Sequence, residues 1–361
     1  MEQTIRFVNA PDGVKLAYAR SGRGPVLLKA ANWLTHIEYD WESPVWRPWF
    51  SFLAANRSLL RYDPRGCGLS DWTAADLSFE RQVQDLESIV DAARLERFAL
   101  LGMSQGGSIG IEYAARHPER LSNLIVYGGY PTGWARRGPE SLREGRAMVE
   151  MIRVGWTRNT PAFRQLFASL FIPDATEEQA EWFGELMRRT TSPEVAARLL
   201  EAFGDIDVMP RLKDVRSPTL VIHVRNDERV PFEQGRIIAA GIPGAQFMAL
   251  EGRNHILVER EPAWTRFKAV VNEFLEPGHV TPSAAADGSS LARLAELTAR
   301  EREILTQVAT GRSNQQIAAG LFISEKTVRN HLTRVFEKLG VSSRAQAIVF
   351  ARDHAVVPDA R

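Results

Sequence analysis

Along the first 276 residues, short apolar runs alternate with segments whose apolar positions recur three and four residues apart. The runs Pro25–Lys29, Ser58–Tyr62, Phe98–Leu101, Leu121–Tyr127, Thr219–Val224 and Ala245–Leu250 have the length of buried strands. Between them, Ser78–Ala93 and Gln105–Arg116 read as amphipathic helices. That alternation predicts a mostly parallel sheet covered on both faces. Residues 133–207 break the rhythm: they read as several helices with no strand between them, a cap inserted over the sheet.

From Pro277 to Ser290 the side chains are small and turn-forming, with almost nothing to pack. A linker over 279–292 is expected, with one domain before it (1–278) and a smaller one after it (293–361). The smaller domain reads as four helices. Thr298 and Glu301 form a capping box opening a helix from Ala299 to Thr310, which stops at Gly311. Ser313 and Gln316 form a second, opening a short helix. After a tight turn at Gly320–Ile323, Ser324 caps a third helix running to Leu339, with Val328, Leu332, Val335 and Leu339 as its apolar stripe. A fourth follows Ser342 and Ser343. A short helix, a tight turn and a helix with polar groups near its start is the geometry that enters a DNA major groove.

Charge sharpens that division. The whole chain carries a net charge of only +1. Residues 291–361 hold eleven Lys/Arg and seven Asp/Glu, a net of +4, and the rest hold 34 and 37, a net of −3. A basic small domain beside an acidic large one fits a phosphate-bearing partner at one end. No apolar run reaches the length of a membrane span, and Met1–Asn9 carries Glu2 and Arg6 in place of a secretory signal, so a cytoplasmic protein is expected. Cys67 is the single cysteine, and no His/Asp/Glu cluster has metal-ligand spacing, so neither a disulfide, a metal nor a cofactor is expected.

Gly102-Met103-Ser104-Gln105-Gly106 directly follows an apolar strand and opens a helix. A serine held at such a turn needs neighbours without Cβ, so that the chain closes up and leaves Oγ exposed. Tyr62-Asp63-Pro64-Arg65-Gly66 stands upstream, Asn226-Asp227-Glu228 follows a later strand, and Gly252-Arg253-Asn254-His255 follows the last. With these residues the chain resembles the α/β-hydrolase superfamily over about residues 5–276. The resemblance implies a triad of Ser104, Asp227 and His255, with Ser104 as nucleophile, His255 as base and Asp227 orienting it. His36, His117, His223 and His279 are read as ordinary surface or packing residues. An oxyanion hole would use the N–H of Gln105 and one from Trp33 or Asn32. The chain departs from the family's usual His-Gly there, having Lys29-Ala30-Ala31-Asn32-Trp33, which implies weaker catalysis. The aromatics of Trp33–Trp49 and of the cap either line an apolar pocket above Ser104 or simply pack the cap.

Residues 293–355, with Leu297-Thr-Ala-Arg-Glu, Ser324-Glu-Lys-Thr-Val-Arg-Asn-His-Leu and Lys338-Leu-Gly-Val, resemble the LuxR/FixJ/GerE class of helix-turn-helix domain. The resemblance implies base or groove contacts from Lys326, Thr327, Arg329, Asn330, His331 and Arg334. His331 has packing against the preceding helix as its alternative. Ser313, Asn314 and Gln315 are implied phosphate contacts, and Ala345, Ile348 and Val349 an implied dimer contact. The expected protein is a transcription regulator that binds double-stranded DNA as a homodimer and senses a small apolar or ester-like effector near Ser104. A working esterase or lactonase with an appended DNA-binding domain is the alternative.

Overall fold

The computed structural model describes residues 2–156, 161–276, 296–309, 312–339 and 341, together with Ala347 and Ala351. The chain divides into two compact units, Met1–Thr281 and Pro282–Arg361.

The first unit is built on eight strands: β1 (Gln3–Asn9), β2 (Lys15–Ser21), β3 (Val26–Lys29), β4 (Ser58–Tyr62), β5 (Phe98–Met103), β6 (Leu121–Tyr127), β7 (Thr219–Val224) and β8 (Gln246–Leu250). They lie in the order β1-β2-β4-β3-β5-β6-β7-β8. From β4 through to β8 every neighbour is parallel, while β1 and β2 add an antiparallel edge. That edge hairpin is absent from the apolar-run reading for a physical reason. Half of β1 faces solvent, so its residues alternate in burial instead of forming a run.

The chain leaves β3 for β4 on one side, then returns to place β5 on the other side of β3. In open parallel sheets ligands bind at such a reversal, beyond the carboxyl ends of the two strands. Here those ends lead into Asn32-Trp33 and into Ser104. Helices α1 (Ile37–Trp41), α2 (Trp46–Ala54), α3 (Phe79–Ala92) and α4 (Gln105–Arg116) follow the early strands. Four more, α5 (Pro139–Gly155), α6 (Pro161–Phe171), α7 (Glu177–Thr190) and α8 (Pro193–Gly204), make up the insertion between β6 and β7. A single antiparallel bridge between Thr132 and Asp207 pins the two ends of that insertion together. Helices α9 (Phe232–Gly241) and α10 (Pro262–Leu275) complete the unit. Trp49 lies within 5.5 Å, ring to ring, of Tyr127, Trp264 and Phe267, tying α2 and α10 to the sheet.

The second unit shows α11 (Ala299–Ala309), α12 (Asn314–Leu321) and α13 (Glu325–Leu339). Both capping boxes form. Thr298 N donates to Glu301 and Glu301 N to Thr298, and Ser313 and Gln316 exchange the same pair of bonds. Phe322, in the left-handed region at φ 57°, makes the turn between α12 and α13. Val328, Leu332, Val335 and Leu339 are all buried, packing on Ile304, Leu305, Val308 and Ile317, with Ala347 and Ala351 in the same cores. Lys338 Nζ reaches the enclosed Glu301 carboxylate at 2.6 Å, joining α13 to the start of α11. Gly311, Gly340, the linker 279–292 and the dimer residues Ala345, Ile348 and Val349 lie outside the described residues.

Candidate active site and nucleic-acid interface

Ser104 sits between β5 and α4 with φ 54° and ψ −126°, a conformation that costs a non-glycine residue strain and persists only when its surroundings enforce it. Its N–H donates to Tyr127 O on β6 and its carbonyl accepts from Gly107 N, each at 3.0 Å. The flanking glycines are required by space. A Cβ at Gly106 would stand 2.8 Å from Ala31 O, and one at Gly102 2.3 Å from Gly106 O.

The loop after β7 carries Asp227 and the loop after β8 carries His255. Their side chains meet with Asp227 Oδ2 2.7 Å from His255 Nδ1, both fully enclosed. Asp227 Oδ1 accepts from the N–H groups of Arg229 and Val230, each at 2.8 Å. Burial pushes the Asp227 carboxyl up, but His255, His223 and the Val230 N–H outweigh it, leaving its pKa below the ordinary value. An Asp held ionised against Nδ1 leaves Nε2 as the basic nitrogen. His255 Nε2 has no partner, and it lines the same cleft as Ser104. The two are not yet in hydrogen-bond contact, a contact that commonly tightens only with substrate in place.

Two residues missed by sequence reasoning complete this arrangement. Gly128, φ 55°, passes directly under the imidazole: a Cβ there would lie 2.9 Å from His255 Cε1. His223, set aside as an ordinary packing residue, is wholly buried behind the triad, with Nε2 3.7 Å from Asp227 Oδ2 and 3.0 Å from Val230 O. Only its neighbouring strand position, four residues before Asp227, hinted at this.

The oxyanion loop is organised from below. Buried Lys29 donates to Asn32 Oδ1, and Asn32 Nδ2 donates to Trp33 O at 3.0 Å. Burial pushes the Lys29 ammonium down to about 7. The same apolar surroundings push nearby Asp40 up to about 8. Leu34, next to Trp33, is also in the left-handed region at φ 62°. Among the described residues the backbone N–H groups of Trp33 and Gln105 have no hydrogen-bond acceptor, and both residues line the cleft.

That cleft has Trp33, Trp46, Trp134, Phe171, Phe183 and Phe203 among its walls. The other aromatics do pack. Trp41 stacks on Phe50 and Trp182 on Tyr39, while Trp156 supports Trp33 from behind. Two arginines to which the sequence assigned no role, Arg137 and Arg229, also line the cleft. No pattern marks them, because one comes from the cap and the other from the loop after β7. Among the described residues no group of three or more His, Cys, Asp or Glu is arranged to hold a metal ion.

In the second unit α13 presents Lys326, Arg329, Asn330 and Arg334 to solvent, off its buried stripe. Thr327 is half-buried, with its hydroxyl 2.8 Å from Ser324 Oγ in the cap. His331 is half-buried too, with Nδ1 enclosed and unpartnered. Ser313 and Gln315 are exposed at the start of α12, beside the half-buried Asn314. Ser313 uses Oγ to cap the helix. A helix start also carries a partial positive charge that suits an anion.

A mostly parallel eight-stranded sheet, a strained serine at the reversal point and an Asp–His pair in the last two strand loops define the α/β-hydrolase class. Residues 39–262 match the alpha/beta hydrolase fold family model, and residues 295–351 match that of GerE, bacterial regulatory proteins of the luxR family. The chain belongs to the alpha/beta hydrolase fold family, and it carries a LuxR-type DNA-binding domain fused to that fold. It is 28% identical over 212 residues to a protein of Azorhizobium caulinodans named "Putative carbamate hydrolase RutD", covering 58% of this chain and 78% of that protein. It is 23% identical to AB hydrolase superfamily protein YisY of Bacillus subtilis, over 69% of this chain and 91% of that one. Among solved structures, a hydrolase from Pseudomonas aeruginosa superposes with a TM-score of 0.63 at 24% identity, over 76% of this chain and 99% of that one. The enol-lactonase from Burkholderia xenovorans gives 0.60 at 24%, over 75% and 99%. These likenesses describe the fold. No helix among the described residues is long and apolar enough to cross a membrane.

Proposed function

We propose that this chain is a transcription regulator acting in the cytoplasm, whose hydrolase-fold domain binds a small effector in the cleft above Ser104. The carrying observation is that a lined, largely apolar cleft and a LuxR-type helix-turn-helix occur in one chain. Regulation requires that the effector bind one arrangement of the protein better than another, since equal binding shifts nothing. Arg329, Asn330 and Arg334 are the proposed groove contacts and Lys326, on the same recognition helix, a phosphate contact, with Thr327 and His331 closer to the helix core. Ser313, Asn314 and Gln315 are the proposed phosphate contacts. The active unit is a two-fold dimer through the segment containing Ala345, Ile348 and Val349, reading half-sites about one helical turn apart.

Slow hydrolysis at Ser104 is compatible with this reading, and the ordered His255–Asp227 pair favours it as a second activity. Trp33 and Gln105 would supply the oxyanion donors. The named hydrolases among the relatives point the same way.

The test measures operator affinity of the full chain against ligand concentration, for wild type and Ser104→Ala, with product formation followed in parallel. The expected result is that Ser104→Ala abolishes labelling by a serine-directed phosphonate yet keeps a ligand-dependent change in operator affinity. Operator affinity that stays constant at saturating cleft occupancy would overturn the regulatory reading. Ile348→Glu should weaken operator binding if the dimer reads the site.

A further inference from the structure

The two arginines in the cleft have no carboxylate to pair with. Among the described residues, neither Arg137 nor Arg229 has an Asp or Glu oxygen within ion-pair distance. Among the same residues the Arg229 guanidinium makes no hydrogen bond, and Arg137 makes one, from Nε to Thr132 O at 2.7 Å. Asp227 is the carboxylate whose charge Arg229 feels, but its oxygens are committed to His255 and to two backbone N–H groups. Two other arginines of this domain are held by carboxylates. Arg65 is held by Asp12 and Asp85, and Arg116 by Glu80 and Glu112.

What surrounds the pair is aromatic. The Arg137 guanidinium lies 4.7 Å from the Tyr130 ring centre and that of Arg229 lies 5.5 Å from the Phe171 ring centre. Stacking on a ring face steadies a guanidinium without using its N–H donors. Burial, with a smaller contribution from the nearby Arg229 charge, lowers Arg137 to about 10, so it remains cationic at neutral pH; burial lowers Arg229 too, and a guanidinium stays protonated there. Two half-buried, mutually repelling cations in an apolar cleft are costly unless an anion joins them.

We infer that the cleft takes a small molecule with an apolar body and a carboxylate, the carboxylate lying between Arg137 and Arg229 and the body against the aromatic walls near Ser104. This names the ligand class of the effector site proposed above and rests on that reading for its role in regulation. A carboxylate has two oxygens for two forked donors; a phosphate monoester could engage the same forks, and the alkyl phosphates in the panel below separate the two.

The experiment uses full-length Ser104→Ala protein, so that no probe is consumed. Straight-chain and phenyl-substituted carboxylic acids are titrated beside their primary amides and the corresponding alkyl phosphates, followed by isothermal calorimetry. The expected acid-over-amide affinity ratio is at least about tenfold, as charge-assisted hydrogen bonds require. Arg137→Gln and Arg229→Gln should each reduce that ratio by about tenfold or more. Arg229→Lys, which keeps the charge but loses the fork, should retain part of it. A ratio near one across the panel overturns the inference, including failure of every acid to bind at millimolar concentration. So does a ratio that survives the double Gln variant, or a phosphate that binds tighter than its carboxylate. Acids that bind selectively without altering operator affinity would leave this inference standing and sink the regulatory reading. Regulation by the amides alone would do the reverse.

Discussion

His223 Nε2 stands 3.7 Å from Asp227 Oδ2, the same oxygen that holds His255 Nδ1 at 2.7 Å. One carboxylate oxygen thus faces two imidazoles with different duties. His223 Nε2 also lies 3.0 Å from Val230 O, so the proton on that nitrogen has a backbone acceptor and the ring packs α9 against β7. Burial holds the His223 pKa below its ordinary value. As pH falls below about 6.5, the unfolded chain takes up this proton before the native state does, so folding stability drops. His223→Gln should flatten that part of the curve. Urea unfolding of the full chain at several pH values from neutral to mildly acidic checks it, and parallel curves for both proteins would refute it.

Gly128 is predicted to be essential to the triad's geometry. In Gly128→Ala the new methyl would meet His255 Cε1 at 2.9 Å in a backbone conformation that disfavours any side chain. The expected outcome is a loss of phosphonate labelling at Ser104 of about 100-fold, from an imidazole misplaced by an ångström or so. Stability should fall by only about 1–2 kcal/mol. Labelling rates and thermal unfolding measured on one preparation separate the two effects, and unchanged labelling would refute the role.

On DNA, Arg329→Ala and Asn330→Ala should each cost about 1–3 kcal/mol on a selected operator, with little loss on random duplex. Both side chains are exposed on α13, free of the core that holds the helix. Lys326→Ala should instead weaken binding to all sequences alike and reduce the salt dependence by about one counterion. Competition measurements at matched salt distinguish them. An isolated 282–361 fragment without preference between operator and random DNA would contradict the interface.

The Glu301–Lys338 contact should make the second unit acid-sensitive. The Lys338 ammonium and the Thr298 N–H hold Glu301 down at about 2. A depressed carboxyl contributes stability above its ordinary pKa of about 4.5 and loses it as pH falls toward about 2. Glu301→Gln should therefore destabilise the 282–361 fragment by about 1–2 kcal/mol at neutral pH. The difference from wild type should vanish in acid. Circular-dichroism melts at pH 7 and pH 2 test this, and a deficit as large at pH 2 as at pH 7 would count against it.

Local chemistry is what the sequence by itself determined. Ser104 between Gly102 and Gly106, the caps Thr298–Glu301 and Ser313–Gln316, and the apolar stripe Val328–Leu339 are each contained within a few turns of chain. Short-range sterics and hydrogen bonding therefore mark them without reference to the rest of the molecule. The parallel sheet was legible because its buried strands need unbroken apolar runs, whereas the edge strand β1, wetted on one side, was not. Only the tertiary structure decided what stands around the serine. Gly128, His223, Arg137 and Arg229 come from the end of β6, from β7, from the cap and from the loop after β7, and they meet around the triad because β5 to β8 lie side by side in parallel, with their carboxyl ends at one edge. A lone arginine or histidine carries no periodicity. Its role is set by which charges the fold places within a few ångströms and which it withholds, and that is a property of packing.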